Sequence, residues 1–262
     1  NFKWTTDFIF SNAKNKVTEL KSDANVMSMI SGSGFALEGN PVRSLYSLNF
    51  QGLNKEGLPT FINEKGELTV TDINFQEREN KSHLVYEGST DPTITGSFGN
   101  IFSYKGFKLN VFMTYSFGNV IRLDPVFHNA YSDLDATPRE FKNRWTVAGD
   151  EKITTVPVIA DLRQNTMNSY LNKAYNAYNY STERIAKGDF IRMKEISVTY
   201  EFPKTMVSKL SLSNLSLKIQ GTNLFLLYAD KKLNGQDPEF FNSGGVAVPV
   251  PKQFTLTLRL GI

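Results

Sequence analysis

Residues 94–117 read ITGSFGNIFSYKGFKLNVFMTYSF, and this stretch decides the fold. In 94–104 and again in 107–117, mostly apolar residues alternate with mostly Ser, Thr, Asn or Gly, and Lys105-Gly106 separates the two arms. Strict alternation predicts a β-hairpin whose strands have one apolar and one polar face. Arms of about 11 residues are longer than most strands of soluble proteins, and they match the length of tilted strands that cross a bilayer.

The same alternation predicts five further strands, at 2–11, 46–52, 190–202, 215–221 and 254–262. The connections between successive strands are alternately shorter and longer, as in a membrane barrel with short turns on one side and long loops on the other. The segment between the first two strands does not fit this pattern, because it is long for a turn. We expect it to contain a further helix or strand.

The predicted strand at 190–202 breaks its own pattern. Arg192 and Lys194 fall on the same face as Ile196 and Val198. Either a β-bulge shifts the phase, or the two cations lie at the outer rim of the membrane. We favour the rim, where they would meet lipid phosphates.

The composition of the chain limits the kinds of binding site and membrane segment that it can contain. The chain has 262 residues, 29 Lys and Arg against 26 Asp and Glu, and no cysteine. This balance gives no indication of nucleic-acid binding, and disulfide or thiolate metal sites are excluded. The chain contains no run of 18 apolar residues, so its sequence predicts no transmembrane helix. The strands of a membrane barrel need no such run, because their apolar residues occupy alternate positions. We interpret the chain as a processed or partial one, since it begins within a strand pattern.

Several segments, in order, resemble the SusC/RagA-like TonB-dependent transporters of Bacteroidota outer membranes. The family's GDYLRLKNIS signature is similar to 188–197, GDFIRMKEIS, and its GGFSNTFSYKGF hairpin to 96–107. Further likenesses are WTTDF followed by NKVT at 4–18, YSFGN at 115–119, QGTNLF at 220–225 and DPE at 237–239.

The resemblance implies an all-β fold: residues 1–262 would be the last seven or eight antiparallel strands of a transmembrane β-barrel of about 22 strands. It implies a multi-pass protein of the bacterial outer membrane, in contact with outer-membrane lipid, that imports oligosaccharides or peptides. A SusD-like surface lipoprotein and TonB would be its partners, TonB acting through an N-terminal plug domain that lies outside this sequence. Residues 118–189 would form a long extracellular loop.

That loop contains the candidate substrate-binding residues. Aromatic rings bury the apolar faces of sugars or peptides, and amides pair with hydroxyl or backbone groups. The alternative is that these side chains pack the loop onto itself or onto a partner. The candidates are Trp145, Tyr170, Tyr175, Tyr178, Tyr180 and Asn176, with Arg144-Trp145 as an expected anchor inside the loop.

We find no catalytic motif. His83 and His128 have no ligand or triad spacing, and we expect no cofactor. Asp133 and Asp135 are a candidate calcium pair, but Ca²⁺ takes about six to eight oxygen ligands. Asp237 and Glu239 are expected to order the loop around Pro238.

Three other classes stay open from the sequence: a passive porin-like barrel, a soluble carbohydrate-binding or adhesin β domain, and an enzyme such as a glycosidase. The transporter motifs disfavour the first. The strand lengths and unequal connections disfavour the second. The third is disfavoured because Asp and Glu are scattered with no supporting motif.

Overall fold

A computed structural model describes residues 1–127, 137–241 and 249–262. In these residues the strands are β1 Lys3–Asn12, β2 Ser44–Leu48, β3 Phe50–Leu53, β4 Pro59–Ile62, β5 Leu68–Thr69, β6 Leu84–Ser89, β7 Ile94–Tyr104, β8 Phe107–Phe117, β9 Val120–Arg122, β10 Ile185–Lys187, β11 Phe190–Glu201, β12 Asn214–Ala229 and β13 Gln253–Gly261. The α-helices are α1 Val26–Ile30, α2 Leu162–Met167, α3 Leu171–Asn179 and α4 Lys204–Val207. Short 3₁₀ turns span Arg139–Asn143, Asp150–Lys152, Thr182–Arg184, Ser208–Leu210, Lys231–Leu233 and Pro238–Phe240.

Six long strands form one antiparallel sheet, which we call the wall, in the order β1-β7-β8-β11-β12-β13. The hairpin has the bounds that the sequence predicts, 94–104 and 107–117. β12 is 16 residues long and extends well beyond its predicted end at residue 221. Among the described residues, no helix is long and apolar enough to cross a membrane.

The registers give the wall one apolar face. One row across all six strands is entirely apolar and consists of Trp4, Phe102, Leu109, Val198, Ile219 and Leu256. In the next row on this face, Thr6 and Asn100 are polar, and Asn100 Oδ1 accepts hydrogen bonds from Trp4 Nε1 and Thr6 Oγ1, both at 2.9 Å. Hydrogen bonds to the amide oxygen reduce the cost of placing this side chain on an apolar surface. The alternate residues form a polar face.

The prediction of a wall strand at 46–52 is wrong. These residues split into β2, which pairs with β6, and β3, which pairs with β4. All five residues of β2 are buried, so this strand is covered on both faces and its alternation carries no information about which face is apolar. The wall therefore has six of the expected seven or eight strands.

Removing that strand resolves the misfit in the connections. The connections 105–106 and 202–213 lie at one end of the wall, and 13–93, 118–189 and 230–252 lie at the other. Short and long connections therefore separate cleanly. We call these the short-turn end and the loop end.

The described residues of the connections 13–93 and 118–189 pack together into a loop subdomain with its own hydrophobic core. Tyr178 is at its centre, with a ring centroid 5.6 Å from that of Phe50 and 5.8 Å from that of Phe127. The buried core residues around it include Val26, Met29, Ile30, Leu48, Phe61, Val126 and Val156. The described residues of 118–189 thus belong to a folded unit, with α2, α3, β9 and β10 among them.

A bulge in β11 corrects the rim hypothesis. The register shifts between Met193 and Glu195, so Arg192 pairs with Thr114 and belongs to the polar face. Arg192 is buried and its guanidinium contacts Asp237, while its Nε lies 3.0 Å from Glu239 Oε2. Lys194 Nζ lies 3.5 Å from the same Glu239 oxygen. The two cations tie the 230–252 connection to the wall, and neither is directed at lipid.

Candidate functional site

A cavity of about 720 Å³ lies where the polar face of the wall meets the loop subdomain. The wall contributes Thr95, Thr114 and Ser116 to its lining. The loop subdomain and the 230–252 connection contribute Arg43, Arg122, Asn179, Tyr180, Glu239 and Phe241. Three segments that are distant in sequence therefore surround one space lined by both polar and apolar groups, of a size that holds small-molecule ligands.

Arg122, the last residue of β9, places a cation beside this cavity. Its Nη2 donates to the Tyr46 carbonyl at 2.6 Å, and its guanidinium carbon lies 5.6 Å from the centroid of the Tyr180 ring. Burial lowers the pKa of Arg122 to about 10, and the nearby Glu87 carboxyl opposes that shift. Arg122 therefore stays protonated at neutral pH.

The chain connections beside the cavity are fixed by charge. Arg184 is buried, pairs with Glu140 and donates through Nη2 to the Asp124 carbonyl at 2.5 Å. At the loop end of the wall, the Gly118 N–H donates to Asp189 Oδ1 at 2.6 Å. Asp237 pairs with Arg192 and accepts from the Glu239 N–H at 3.1 Å, so it orders the turn at Pro238.

The structure separates the six candidate substrate-binding residues. Tyr180 alone among them lines the 720 Å³ cavity. Tyr178 is fully buried, and Tyr175 is half-buried, its hydroxyl donating to the Val158 carbonyl at 2.7 Å. Asn176 is half-buried on α3, while Tyr170, just before that helix, is 69% exposed.

Trp145 joins the two halves of the loop subdomain. Its indole lies against Gly57, where an added Cβ would come within 2.5 Å of the ring, and its Nε1 donates to Glu151 Oε2 at 3.1 Å. Arg144 places its guanidinium 5.2 Å from the Phe141 ring centroid. This geometry agrees with an anchor role for the Arg144-Trp145 pair.

Sequence reasoning missed Arg122 and Arg43, because neither lies in an alternating stretch. It left open whether the aromatic candidates contact substrate or pack the loop onto itself, and it did not single out Tyr178 as buried. A signal for that existed, because Leu171, Ala174 and Tyr178 have the spacing of one helix face. His128 and the calcium candidates Asp133 and Asp135 lie outside the described residues. In the described part of the chain, no group of three His, Asp or Glu side chains could hold a metal ion.

His83 gives the loop subdomain a pH-dependent stability. Burial lowers the pKa of His83, and the nearby Glu64 and Glu77 carboxylates only partly oppose this. A lowered folded-state pKa means that stability is present above the unfolded pKa of about 6.5 and is lost as pH falls below it. We expect amide exchange in β6, corrected for its intrinsic pH dependence, to accelerate several-fold between about pH 7 and pH 5. His83→Leu should abolish that acceleration; an unchanged pH response in this variant would contradict the assignment.

A sheet with one apolar face, long connections confined to one end and a cavity beneath them are features of outer-membrane transport proteins. No protein-family model matches the chain. It is 25% identical over 255 residues to TonB-dependent receptor P3 of Formosa agariphila, covering 91% of this chain and 23% of that protein. It is 25% identical to TonB-dependent receptor P39 of the same organism, covering 100% of this chain and 28% of that protein.

Solved structures show the same fold. The RagAB peptide transporter matches with a TM-score of 0.69 at 20% identity, over 100% of this chain and 27% of that one. The open-open state of the RagAB peptide importer matches with a TM-score of 0.70 at 21% identity, over the same shares. The resemblance drawn from the motifs is confirmed: this chain is homologous to TonB-dependent receptors. It spans about a quarter of the length of the relatives it matches.

Proposed function

We propose that this chain is the wall-and-loop portion of a TonB-dependent importer that takes up oligosaccharides or peptides across the bacterial outer membrane. The apolar face of the wall would contact outer-membrane lipid and the polar face would line the import path. A SusD-like lipoprotein would act at the loop end, and TonB would act through a plug domain outside this sequence. We propose no bond chemistry, in keeping with relatives that are named as receptors.

The cavity between the polar face and the loop subdomain is the observation that carries this proposal. A cargo molecule there would touch the wall on one side and the loops on the other. Tyr180 offers an aromatic face, while Arg43 and Thr95 bring polar groups to the same space. Among the six candidate residues, we propose Tyr180 as a cargo contact within the cavity. The exposed Tyr170 would serve as an outer contact for cargo or the lipoprotein, whereas Trp145, Tyr175 and Tyr178 would hold the loop in shape.

The test is uptake by cells that produce the full-length protein. Labelled peptide and oligosaccharide mixtures are supplied, with and without collapse of the proton gradient. We expect energy-dependent uptake of one mixture, and Tyr180→Ala should weaken it roughly 5-fold through loss of one aromatic contact. Tyr180→Phe, which keeps the ring, should stay within about 2-fold of wild type.

The outcomes separate the alternatives. Uptake that persists without the proton gradient would indicate a passive pore. Loss of uptake in Tyr170→Ala but not in Tyr180→Ala would move the cargo contact from the cavity to the outer surface.

A further inference from the structure

The polar face carries a row of lysines at a single level of the wall. Strand registers align one residue from each of the six strands, and lysine alternates with a hydroxyl residue along the row. The row, which we call the lysine row, consists of Lys3, Ser103, Lys108, Thr199, Lys218 and Thr257. Adjacent strands are about 4.8 Å apart, so the lysines recur about every 10 Å.

The charge of this row is only partly compensated. Among the described residues, Lys3 and Lys108 have no carboxylate partner within 4 Å, and both are exposed. Lys218 Nζ lies 3.6 Å from Glu195 Oε1. That carboxylate is also held by Asn110 Nδ2 at 3.0 Å and Ser197 Oγ at 2.9 Å.

Charged residues also lie on the neighbouring levels of the polar face. One level nearer the short-turn end, Arg259 and Glu201 both pair with Ser216, so this level adds one charge of each sign. The carboxylates Asp7 and Glu195 lie two levels nearer the loop end. A groove of about 330 Å³ brings Lys108, Lys218 and Arg259 into one space with the Glu201 carboxylate, so that cations outnumber carboxylates in its lining. The cations therefore face a common volume on the polar side of the wall.

We propose that the lysine row binds negatively charged groups of the cargo, carboxylates in particular, and so makes the import path selective for acidic oligomers. This inference rests on the proposed function, because it takes the polar face as the import path. Cationic side chains arranged at one level of a pore wall favour anions. Lysine suits transient contact, since it is a mobile and strongly hydrated point charge, whereas arginine is favoured for fixed ion pairs. The interleaved hydroxyls supply hydrogen bonds to the same groups.

The experiment measures binding to the purified full-length protein in detergent at low salt, with two probe pairs that differ only in charge. One pair is an oligogalacturonate and its methyl ester; the other is an aspartate-containing peptide and its asparagine counterpart. We expect wild type to prefer the acidic member of at least one pair, and that pair identifies the cargo class. The double variant Lys108→Gln with Lys218→Gln should weaken acidic binding about 5-fold, with little change for the neutral member.

Lys105→Gln is the matched control. It removes the same charge from the turn, where the Lys105 ammonium lies 5.2 Å from the Tyr104 ring centroid, and it should leave both probes unaffected. Wild type that shows no preference for the acidic probes would overturn the inference. Equal weakening of acidic and neutral probe binding in the double variant would also overturn it. A double variant that instead lowers the unfolding temperature while preserving the preference would overturn it too, and would assign the row to an acidic protein segment.

This test is independent of transport. Preferential binding of the acidic probes without energy-dependent uptake would support the lysine-row inference and contradict the importer proposal. Energy-dependent uptake without a preference for acidic probes would support the importer proposal and contradict the lysine-row inference.

Discussion

Gly96→Val is expected to prevent the wall from assembling. Gly96 lies on β7 between β1 and β8, and a Cβ there would fall 2.0 Å from the Ile9 carbonyl oxygen and 2.4 Å from Tyr115 Oη. Tyr115 crosses over this glycine to donate its hydroxyl to the Ile9 carbonyl at 2.8 Å. The added side chain would displace the tyrosine and separate the strands, at a cost of about 3 kcal/mol or more.

The folded fraction of full-length protein recovered from outer membranes measures this effect, read from its heat-dependent electrophoretic mobility. Gly99→Ala is the matched control in the same strand, because its nearest contact would be Phe112 Cδ2 at 3.3 Å. We expect near-complete loss of folded protein for Gly96→Val and a small change for Gly99→Ala. Equal folded yields for the two variants would show that β1 and β8 do not approach β7 as described.

Arg192→Leu is expected to release the 230–252 connection from the wall. The Arg192 and Asp237 side chains are only 7% and 10% exposed. Removing the cation leaves a buried carboxylate without its partner, which costs roughly 3–5 kcal/mol. The partly exposed Lys194 contacts Glu239 at 3.5 Å, so Lys194→Ala should cost less than about 1 kcal/mol.

Thermal unfolding, together with protease cleavage within 230–252, measures this release. The double variant Arg192→Leu with Asp237→Asn should regain much of the lost stability, because it also removes the unpaired charge. A double variant as unstable as Arg192→Leu alone would show that the guanidinium acts through packing and not through the ion pair.

The wall was largely predictable from the sequence, because alternation is a local property that each membrane-length strand carries by itself. The hairpin at 94–117 was therefore placed correctly. The prediction of a wall strand at 46–52 failed, because a short alternating sequence is compatible both with a wall strand and with a strand buried on both faces. The β11 bulge was one of two open interpretations, and only the Met193/Glu195 register shift decides between them.

The candidate site was much less predictable. Its cavity is assembled from the wall, the loop subdomain and the 230–252 connection, and their approach depends on long-range pairing. The fixation of Asp237 by Arg192 across 45 residues is an example. The lysine row is likewise absent from any single segment, because it arises only when six strands are brought into register.

The proposed function requires the wall to face lipid on one side and an aqueous path on the other. The 262 residues contain no cysteine. In full-length protein whose cysteines outside this sequence, if any, are replaced by serine, single spin labels are placed along β8 in membranes, as Leu109→Cys and Val111→Cys against Lys108→Cys and Asn110→Cys. Labels at Leu109 and Val111 should collide with dissolved oxygen and be shielded from a water-soluble nickel complex, and labels at Lys108 and Asn110 should show the opposite. Equal access of the nickel complex to all four positions would contradict this orientation of the wall.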